Sequence, residues 1–357
     1  MNTYTKFLII IFSKSFLYIS AITLSLLLVI NLLTELDFFK EINVSIKTPL
    51  LLTFLISPSI LFEMFPFIFL ITGQLFFVKL LENNEIETLK YSGLKNTNIL
   101  KILTLISLLT GMVITIFFYT FSSNFKNLYL ELKSKYTTDG KYLAVITKNG
   151  LWIKDIINKK KIIINSYKIE NEYLINNFIN EFDENYQLIR TIKSEKINIK
   201  NKNWMIYNAD IFIKNQKKNE KLLELKTNFD YNIINSLYSD LSSLSLFELL
   251  ELRENYKNLN YSINDINLQL LKLAINPLNM VLMTIFAGIT MLRIKKIKST
   301  TYKISIGLFF SVIIYYINNF FYVIGSTGKL SLISSIFIPM IMLSFITILM
   351  LIKINDK

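Results

Sequence analysis

The chain has 357 residues with 39 Lys+Arg, 26 Asp+Glu, no His and no Cys, and 52% of its residues are apolar or aromatic. The missing residue types exclude disulfides, thiol nucleophiles, metals held by Cys or His, and a Ser-His-Asp triad. The apolar fraction and the mean hydropathy of +0.42 are higher than is usual for a soluble domain, so membrane spans are the first expectation.

Six stretches are long and apolar enough to cross a bilayer, which takes roughly 20 residues of helix. The second stretch contains Pro58, Glu63 and Pro66, whereas the other five carry no charge. One such stretch could be a buried helix of a soluble protein, but six in one chain predict a polytopic membrane protein. The six are Ser15–Thr34, the segment between Lys47 and Lys79, Ile102–Phe125, Leu273–Leu292, Ile304–Gly328 and Leu330–Ile352.

Lys and Arg near the ends of the spans predict which side is cytoplasmic. Most of these cations lie inside if the N-terminus is cytoplasmic, and the run Arg293–Lys298 is the strongest single indication. Both termini are then inside, and residues 123–265 lie in the periplasm of a Gram-negative cell. The first stretch has no small-x-small cleavage site, which predicts a retained helix. Topology alone explains the basic run; contact with anionic lipid is the alternative, and no nucleic-acid-binding motif accompanies it.

The periplasmic segment predicts a β-domain of many short strands, as in a sandwich or jelly roll. The Asn149-Gly150 pair between two apolar runs is the clearest hairpin signal. The candidate strands are Tyr142–Thr147, Leu151–Asp155, Lys161–Tyr167, Tyr173–Asn180, Gln187–Lys193, Ile197–Lys200, Asn203–Tyr207, Ala209–Lys214 and Leu222–Thr227.

Beyond residue 244 the apolar spacing becomes helical. Ser245 and Glu248 fit a capping box, which predicts a helix over Leu246–Lys257 on the outer membrane face. The following span is expected to break or kink at Pro277. The predicted domains are therefore 1–125 with three spans, 126–243 as the β-domain, and 244–357 with the connecting helix and three more spans.

The link between the second and third spans has the marks of a short capped helix. Asn84 suits the N-cap with Glu87 at N3, and Gly93 suits the C′ position. Ile86 and Leu89 share one face and leave a small apolar ridge beside carboxylates. Two interpretations stay open: a helix that lies on the lipid headgroups, or a coupling helix that fits a groove on a cytoplasmic motor subunit.

These residues resemble the lipopolysaccharide-export permeases of the LptF/LptG (YjgP/YjgQ) family. Members have a Pro in the second span, as in Phe65-Pro66, and a coupling helix with a Glu and an Ala-Ser-Gly-like end. In this chain that end is Tyr91-Ser92-Gly93. The run Gly150–Asp155 looks like the Gly-Leu-Trp-x-Lys-Asp strand of LptG in particular. Pro277-Leu278 and Tyr315–Asn319 are also similar, so the resemblance covers essentially the whole chain.

The resemblance implies an α-helical membrane protein with six transmembrane helices and an inserted periplasmic, jelly-roll-like all-β domain. It also implies one half of an ABC-type exporter in the bacterial inner membrane. The partners would be a second six-span, LptF-like permease, a cytoplasmic LptB-like ATPase dimer that binds ATP-Mg, and periplasmic LptC/LptA-like bridge proteins. Lipopolysaccharide would be extracted from the periplasmic leaflet. This chain has no Gly-x-x-x-x-Gly-Lys-Ser/Thr loop and is expected to bind no cofactor, metal or nucleic acid itself.

Two groups of site residues follow from the resemblance, and no catalytic residue is expected. Coupling to the ATPase is assigned to a helix over about 84–92, through Glu85, Ile86, Leu89, Ser92 and Gly93. Glu85 could instead only favour the start of this helix. Contact with the lipid is assigned to the outer ends of the first two spans and to the fifth span, where Lys side chains could pair with phosphates. Interfacial anchoring is the alternative there. The residues are Glu35, Asp37, Lys40, Lys47, Tyr315, Asn318 and Phe321.

Other functions stay open. The closest alternative is an exporter subunit for another lipid or glycolipid, with the same partners. An intramembrane enzyme is disfavoured because no acid–base pair converges within the spans, where Glu63 stands alone. A carboxylate inside a span is costly and often functional. A membrane scaffold or sensor with a periplasmic β-domain is the third alternative, although six spans are more than anchoring needs.

Overall fold

In the computed structural model, the described residues are 3–42, 44–136, 151–157, 160–170, 172–213, 216–231, 234, 240–258, 263–293 and 299–355. The chain forms two compact units. Met1–Lys126 and Asn264–Lys357 form the first, and Asn127–Ile263 form the second. The predicted strand Tyr142–Thr147, the Asn149-Gly150 turn and most of the Arg293–Lys298 run lie outside the described residues.

Six helices are long and apolar enough to cross a membrane, which confirms the six predicted spans. The third span consists of two helices joined by a π-helical segment, Ile114–Phe118, and the others are single helices. A short helix separates the second and third spans. The helices are α1 Thr3–Phe38, α2 Lys47–Glu82, α3 Glu85–Tyr91, α4 Asn96–Val113, α5 Tyr119–Ser134, α6 Leu246–Asn258, α7 Asn264–Arg293, α8 Thr300–Ser326 and α9 Leu332–Asn355.

Helices α2 and α7 form the centre of the first unit. In their most apolar windows 56% and 50% of the residues are buried, against 6% in α1 and 11% in α8. Gly73 permits close packing of α2 on α7, because a Cβ there would lie 3.0 Å from the Cβ of Ala287. Rings of α1 also pack on α2, with Phe16 and Phe69 centroids 5.3 Å apart. The outer helices α1 and α8 therefore keep most of their apolar surface free of the chain's own packing.

The second unit contains the predicted β-domain, but its strands are longer than the sequence indicated. All strand neighbours are antiparallel and follow chain order, so the strands described here form one six-stranded meander without a Greek-key crossover. The predicted pairs 187–193 with 197–200 and 203–207 with 209–214 are each one continuous strand. The strands are β1 Leu151–Ile157, β2 Lys160–Glu170, β3 Tyr173–Phe182, β4 Leu188–Asn198, β5 Asn203–Ile213 and β6 Gln216–Lys226.

Two Asn residues interrupt the alternation of inward and outward side chains. Asn176 in β3 and Asn208 in β5 have φ values of 53° and 49°, in the left-handed region that Asn tolerates best after Gly. Because each adds one outward position, the buried side of β3 passes from Leu174 to Asn177, and that of β5 from Ile206 to Ala209. The sequence predicted a strand end at Asn208, whereas the predicted strand Tyr173–Asn180 runs through Asn176 as the structure does.

Buried polar side chains join the strands beside these two positions. Ser166 of β2 donates to Asn177 of β3, and the Asn177 amide donates to the carbonyl of Ser194 in β4. The Ser194 hydroxyl in turn donates to the carbonyl of Tyr207 in β5, at 2.6 Å. Each buried polar group is thereby satisfied, as a low-dielectric interior requires.

The capping box of α6 is confirmed. The backbone N–H of Ser245 donates to Glu248 Oε2 at 2.7 Å, and Glu248 N–H donates back to Ser245 Oγ at 3.4 Å. The helix runs one residue further than predicted, to Asn258.

Candidate coupling helix and lipid-facing residues

A sharp turn positions α3 directly after α2. Asn84 adopts a left-handed conformation with φ 54° and ψ 20°, and its side chain makes no capping hydrogen bond. The predicted capping box is therefore wrong, because an N-cap residue needs an extended backbone to aim its side chain at the first turn. The neighbouring Asn83 contacts the helix through its side chain only, because its Nδ2 donates to Glu85 Oε1 at 3.4 Å.

The end of α3 matches the prediction. Gly93 has φ +84°, the Leu94 N–H donates to the Leu89 carbonyl at 3.0 Å, and the Gly93 N–H donates to the Lys90 carbonyl at 2.9 Å. This pair of bonds is a Schellman motif. A Cβ at Gly93 would meet nothing within 4 Å, so backbone conformation alone favours glycine there.

The apolar side of α3 is turned into the protein. Ile86 and Leu89 are 5% and 8% exposed, so they hold the helix to its own chain rather than forming an exposed ridge. The outer surface presents Glu87, Ser92 and Gly93, with Tyr91 as its large aromatic side chain. Tyr91 is 90% exposed. Sequence reasoning noted Tyr91 only as a departure from the family's Ala.

Glu85 lies at the border between the buried and exposed sides of α3. Its residue is half-buried, and its Oε2 atom is covered and finds no hydrogen-bond donor among the described residues. A carboxylate in this state gains stability from any donor that reaches it. Glu85 therefore lies near the outer surface of α3, where one carboxylate oxygen accepts a hydrogen bond from Asn83 and the other has no donor among the described residues.

The residues assigned to the outer ends of the first two spans differ in burial. Glu35 is 2% exposed and belongs to the interior of the first unit. Asp37, Lys40 and Lys47 are exposed, the last at the first position of α2. The carboxylate of Glu35 and the two Lys side chains thus face different surroundings.

The predicted residues of the fifth span all lie on α8. Tyr315 is 63% exposed, and its ring packs edge-on against Tyr316 with centroids 5.7 Å apart. Asn318 and Phe321 are half-buried. Because little of α8 is covered by the chain itself, most of these side chains are available to lipid or to another protein.

The sequence analysis missed a buried amide on α2. Gln74 is 1% exposed, and neither its Nε2 nor its Oε1 has a hydrogen-bond partner among the described residues. The side chain lies against Gly307 of α8, where any Cβ would overlap the carboxamide. A Gln within a long, mostly apolar span was the signal that could have drawn attention to it.

In the second unit, Asp155 joins strand β1 to the segment that follows β6. Its carboxylate accepts hydrogen bonds from the backbone N–H of Asn228 at 2.9 Å and from its Nδ2 at 2.7 Å. The Asp of the Gly-Leu-Trp-x-Lys-Asp sequence is thus a structural residue, and Leu151 and Ile153 before it point into the core.

Neighbouring side chains alter the ionisation of Asp210 in β5. Asn219 and Lys217 donate hydrogen bonds to Asp210 and lower the pKa of that half-buried carboxyl. The described residues include no group of three or more acidic side chains that could hold a metal ion.

Comparison with protein families identifies the chain. The model described as lipopolysaccharide export system permease LptF/LptG matches residues 6–353, nearly the full length. Among curated proteins, none matches the sequence. The family model covers LptF and LptG together, and six apolar helices with an inserted β-domain agree with it. The chain therefore belongs to the LptF/LptG family and is a multi-pass inner-membrane permease subunit of lipopolysaccharide export, a transport component rather than an enzyme.

Proposed function

We propose that the chain is one half of an ABC-type lipopolysaccharide exporter whose energy comes from a separate cytoplasmic ATPase dimer. Its partners are a second six-span permease of the same family and periplasmic bridge proteins with similar β-domains. The family match supports the lipopolysaccharide part of this proposal. The N- and C-termini and α3 are cytoplasmic and the β-domain is periplasmic, because the cations near the span ends follow the positive-inside rule.

One observation carries the coupling part of the proposal. Helix α3 is held to its own chain by Ile86 and Leu89 and presents Tyr91 and Glu87 outward. An exposed aromatic side chain on a firmly held short helix is a typical anchor for a protein partner. We assign this surface to a groove on the ATPase, with Glu85, Ser92 and Gly93 at its border.

The proposed lipid contacts lie at the α1–α2 link, the start of α2 and the exposed surface of α8. Lys40 and Lys47 are exposed where the lipid phosphates would lie, with Asp37 beside them. Tyr315, Asn318 and Phe321 would contact the lipid deeper in the membrane. Glu35 is buried, so we assign it to the support of this region rather than to direct contact.

Native mass spectrometry of the complex purified from its own host in mild detergent tests the proposal. We expect this chain, one further permease, two ATPase copies and a glycolipid whose mass matches lipopolysaccharide. The same assembly with a different lipid would favour the alternative cargo. A lone chain or homo-oligomer in several detergents would favour a scaffold and contradict the proposal.

Variants of α3 test the coupling surface. Tyr91→Ala removes the exposed aromatic side chain, and Glu85→Lys reverses a charge beside it. Each should reduce the amount of ATPase that co-purifies with the chain at least fivefold. Lys101→Ala, at an exposed position of α4, is the matched control and should leave recovery unchanged. Equal amounts of co-purified ATPase from the unaltered protein and all three variants would show that the ATPase binds elsewhere.

A further inference from the structure

The third span contains a local change of helix type. Between α4 and α5 the residues Ile114–Phe118 form a π-helix, in which the Tyr119 N–H donates to the Ile114 carbonyl five residues earlier. An α-helix places this bond four residues apart, so a π segment holds one residue more than the α-helix it interrupts. The backbone is regular on both sides, because Val113 and Tyr119 have φ values of −58° and −60°. The third span therefore carries one extra residue at a defined place.

The side chain of Thr115 is left without a hydrogen bond in this π-helix. The residue is 6% exposed, and its Oγ1 is buried with no partner among the described residues. In the α-helical parts of the span, Thr104, Thr110 and Thr120 each donate to the carbonyl four residues earlier, at 2.8, 2.6 and 3.0 Å. An α-helical turn would offer Thr115 the carbonyl of Gly111 in the same way. Because an unpaired buried hydroxyl raises the free energy, this side chain favours the α-helical form.

Ring packing against α2 favours the π-helical form instead. The Phe118 ring packs edge-on against Phe65 with centroids 5.2 Å apart, and Tyr119 packs against Phe62 with centroids 5.0 Å apart. Tyr119 is 2% exposed, whereas Phe117 is 70% exposed. The extra residue determines which of these rings faces α2. Packing and hydrogen bonding therefore act on this segment in opposite directions.

The two helices that contact this segment are both interrupted by Pro at the same level. On α2, Pro66 follows Phe65 directly. On α7, Pro277 lies against Gly111, where a Cβ would be 3.3 Å from the Pro277 Cα. The π-helix begins three residues beyond Gly111 and ends at the ring that contacts Phe65. Each Pro removes a backbone donor from its helix, so both neighbours are most compliant where the third span changes type.

We propose that Ile114–Phe118 is a register switch, which converts between the π-helix described above and an α-helix. In the α-helical form the extra residue joins the regular helix, so α5 turns relative to α4 by about 100°, the angle per residue of an α-helix. The inner part of the span stays packed on α7 at Gly111. Beyond the switch each residue takes the place of the one that follows it, so Phe117 comes to face Phe65. The switch needs neither a partner nor a cargo, and it stands or falls separately from the proposed function.

The lack of Cys in the chain allows pairs of introduced Cys to report the register. The full-length protein, with whatever subunits co-purify, is placed in lipid nanodiscs and treated with a short, uncharged bifunctional methanethiosulfonate. Intact-mass analysis separates a bridged pair from two singly modified Cys. Phe65→Cys/Phe118→Cys reports the π-helical form, and Phe65→Cys/Phe117→Cys reports the α-helical form. Phe65→Cys/Ile116→Cys is the control, because Ile116 lies one residue before Phe117 and faces Phe65 in neither form.

We expect the Phe118 pair to bridge fastest and the Phe117 pair to bridge at least tenfold faster than the control pair. Bridging of the Phe117 pair no faster than the control would show that the segment stays π-helical, and would overturn the inference. If variants at Phe65 do not fold, Phe62→Cys replaces it. Its pair with Tyr119→Cys then reports the π-helical form, and its pair with Phe118→Cys reports the α-helical form.

Thr115→Val tests the cause of the switch. The substitution keeps the branched shape of the side chain and removes the hydroxyl that favours the α-helical form. We expect it to slow bridging of the Phe117 pair at least threefold and to leave the Phe118 pair unchanged. Thr110→Val is the matched control, because the Thr110 hydroxyl already donates to the Ile106 carbonyl within α4. An unchanged rate in Thr115→Val, or equal slowing in both Val variants, would overturn the role of the hydroxyl.

Discussion

At the scale of single residues, Asp155 joins two parts of the β-domain that are distant in the chain. Its carboxylate is 2% exposed and binds both the backbone and the side chain of Asn228, just after β6. Hydrogen bonds to a charged group are worth about 1.5–3 kcal/mol, and removing one partner leaves a buried donor unsatisfied. Asp155 of β1 therefore stabilises the β-domain by a link to the segment that follows β6.

Asp155→Ala is expected to destabilise the β-domain by about 2 kcal/mol, because the Asn228 N–H loses its acceptor. Denaturant unfolding of the full-length protein, followed by tryptophan fluorescence, measures this. The two Trp residues of the chain, Trp152 and Trp204, both lie in the β-domain. Glu172→Ala removes an exposed ion pair with Lys200 and is the control, with an expected change below about 0.5 kcal/mol. Similar shifts in both variants would contradict the special role of Asp155.

The contact between Gln74 and Gly307 gives a second prediction at this scale. Gly307→Ala should lower the stability of the helical unit by about 1–3 kcal/mol, because the added methyl group overlaps the Gln74 side chain. In the double variant Gln74→Ala/Gly307→Ala the long Gln74 side chain is absent, so at least about 1 kcal/mol of the lost stability should be recovered. Thermal unfolding followed by circular dichroism of the helices provides the measurement. Additive effects of the two substitutions would show that the side chains do not meet.

At the scale of elements, the sequence predicted the type of each helix or strand more reliably than its ends or the surroundings of its faces. Apolar length determines a span, so six of six spans were found. The ridge Ile86–Leu89 was found by its period, yet a period shows that two side chains share a face and not what covers that face. The turn at Asn84 was read as a cap, because the sequence alone does not separate an extended Asn from a left-handed one.

The β-strands show the same limit. Asn208 looks like a turn residue, and the predicted strands stop on either side of it, but here it is a left-handed position inside one continuous strand, as Asn176 is in β3. Neighbouring strands keep their pairing on both sides of each Asn, for example Tyr207 with Leu222 and Ala209 with Glu220. Only the partner strands, which are remote in sequence, reveal that the strand continues.

The end of α3 provides a prediction at this scale. Gly93→Ala places a Cβ on a residue with φ +84°, which costs about 1–2 kcal/mol although nothing obstructs the methyl group. We expect amide hydrogen exchange of Gly93 and Leu94, the donors of the Schellman bonds, to accelerate at least fivefold. Gly93→Asn should accelerate it less, because Asn tolerates this region better. Identical exchange in both variants would show that the strain is relieved by a local rearrangement.

At the scale of the whole molecule, the distribution of cations determines the expected orientation in the membrane. The β-domain lies between the third and fourth spans, so it shares one side with the link between α1 and α2 and lies opposite α3. The charge rule places α3 on the cytoplasmic side. The family match agrees with a multi-pass inner-membrane protein and leaves this orientation as a prediction.

Single-Cys variants test the orientation in cells with a permeabilised outer membrane. Asn185→Cys, in the turn after β3, should react with an impermeant maleimide in intact spheroplasts. Ser92→Cys, after α3, should react only once the inner membrane is broken. Both positions are exposed, so the difference between them reports sidedness rather than burial. The reverse pattern would place the β-domain in the cytoplasm and contradict the proposed export function.

The way in which α3 is attached has a mechanical consequence. Only Asn83 and Asn84 separate it from α2, and a Schellman motif followed by Lys95 joins it to α4. Because Ile86 and Leu89 are buried and both connections are short, α3 has little freedom to move independently of α2. A displacement of α3 would therefore rotate the adjoining end of α2. That helix lacks a backbone donor at Pro58 and Pro66, which makes these its most compliant points. A displacement of α3 would therefore bend α2 at Pro58 and Pro66, the two positions that flank Glu63.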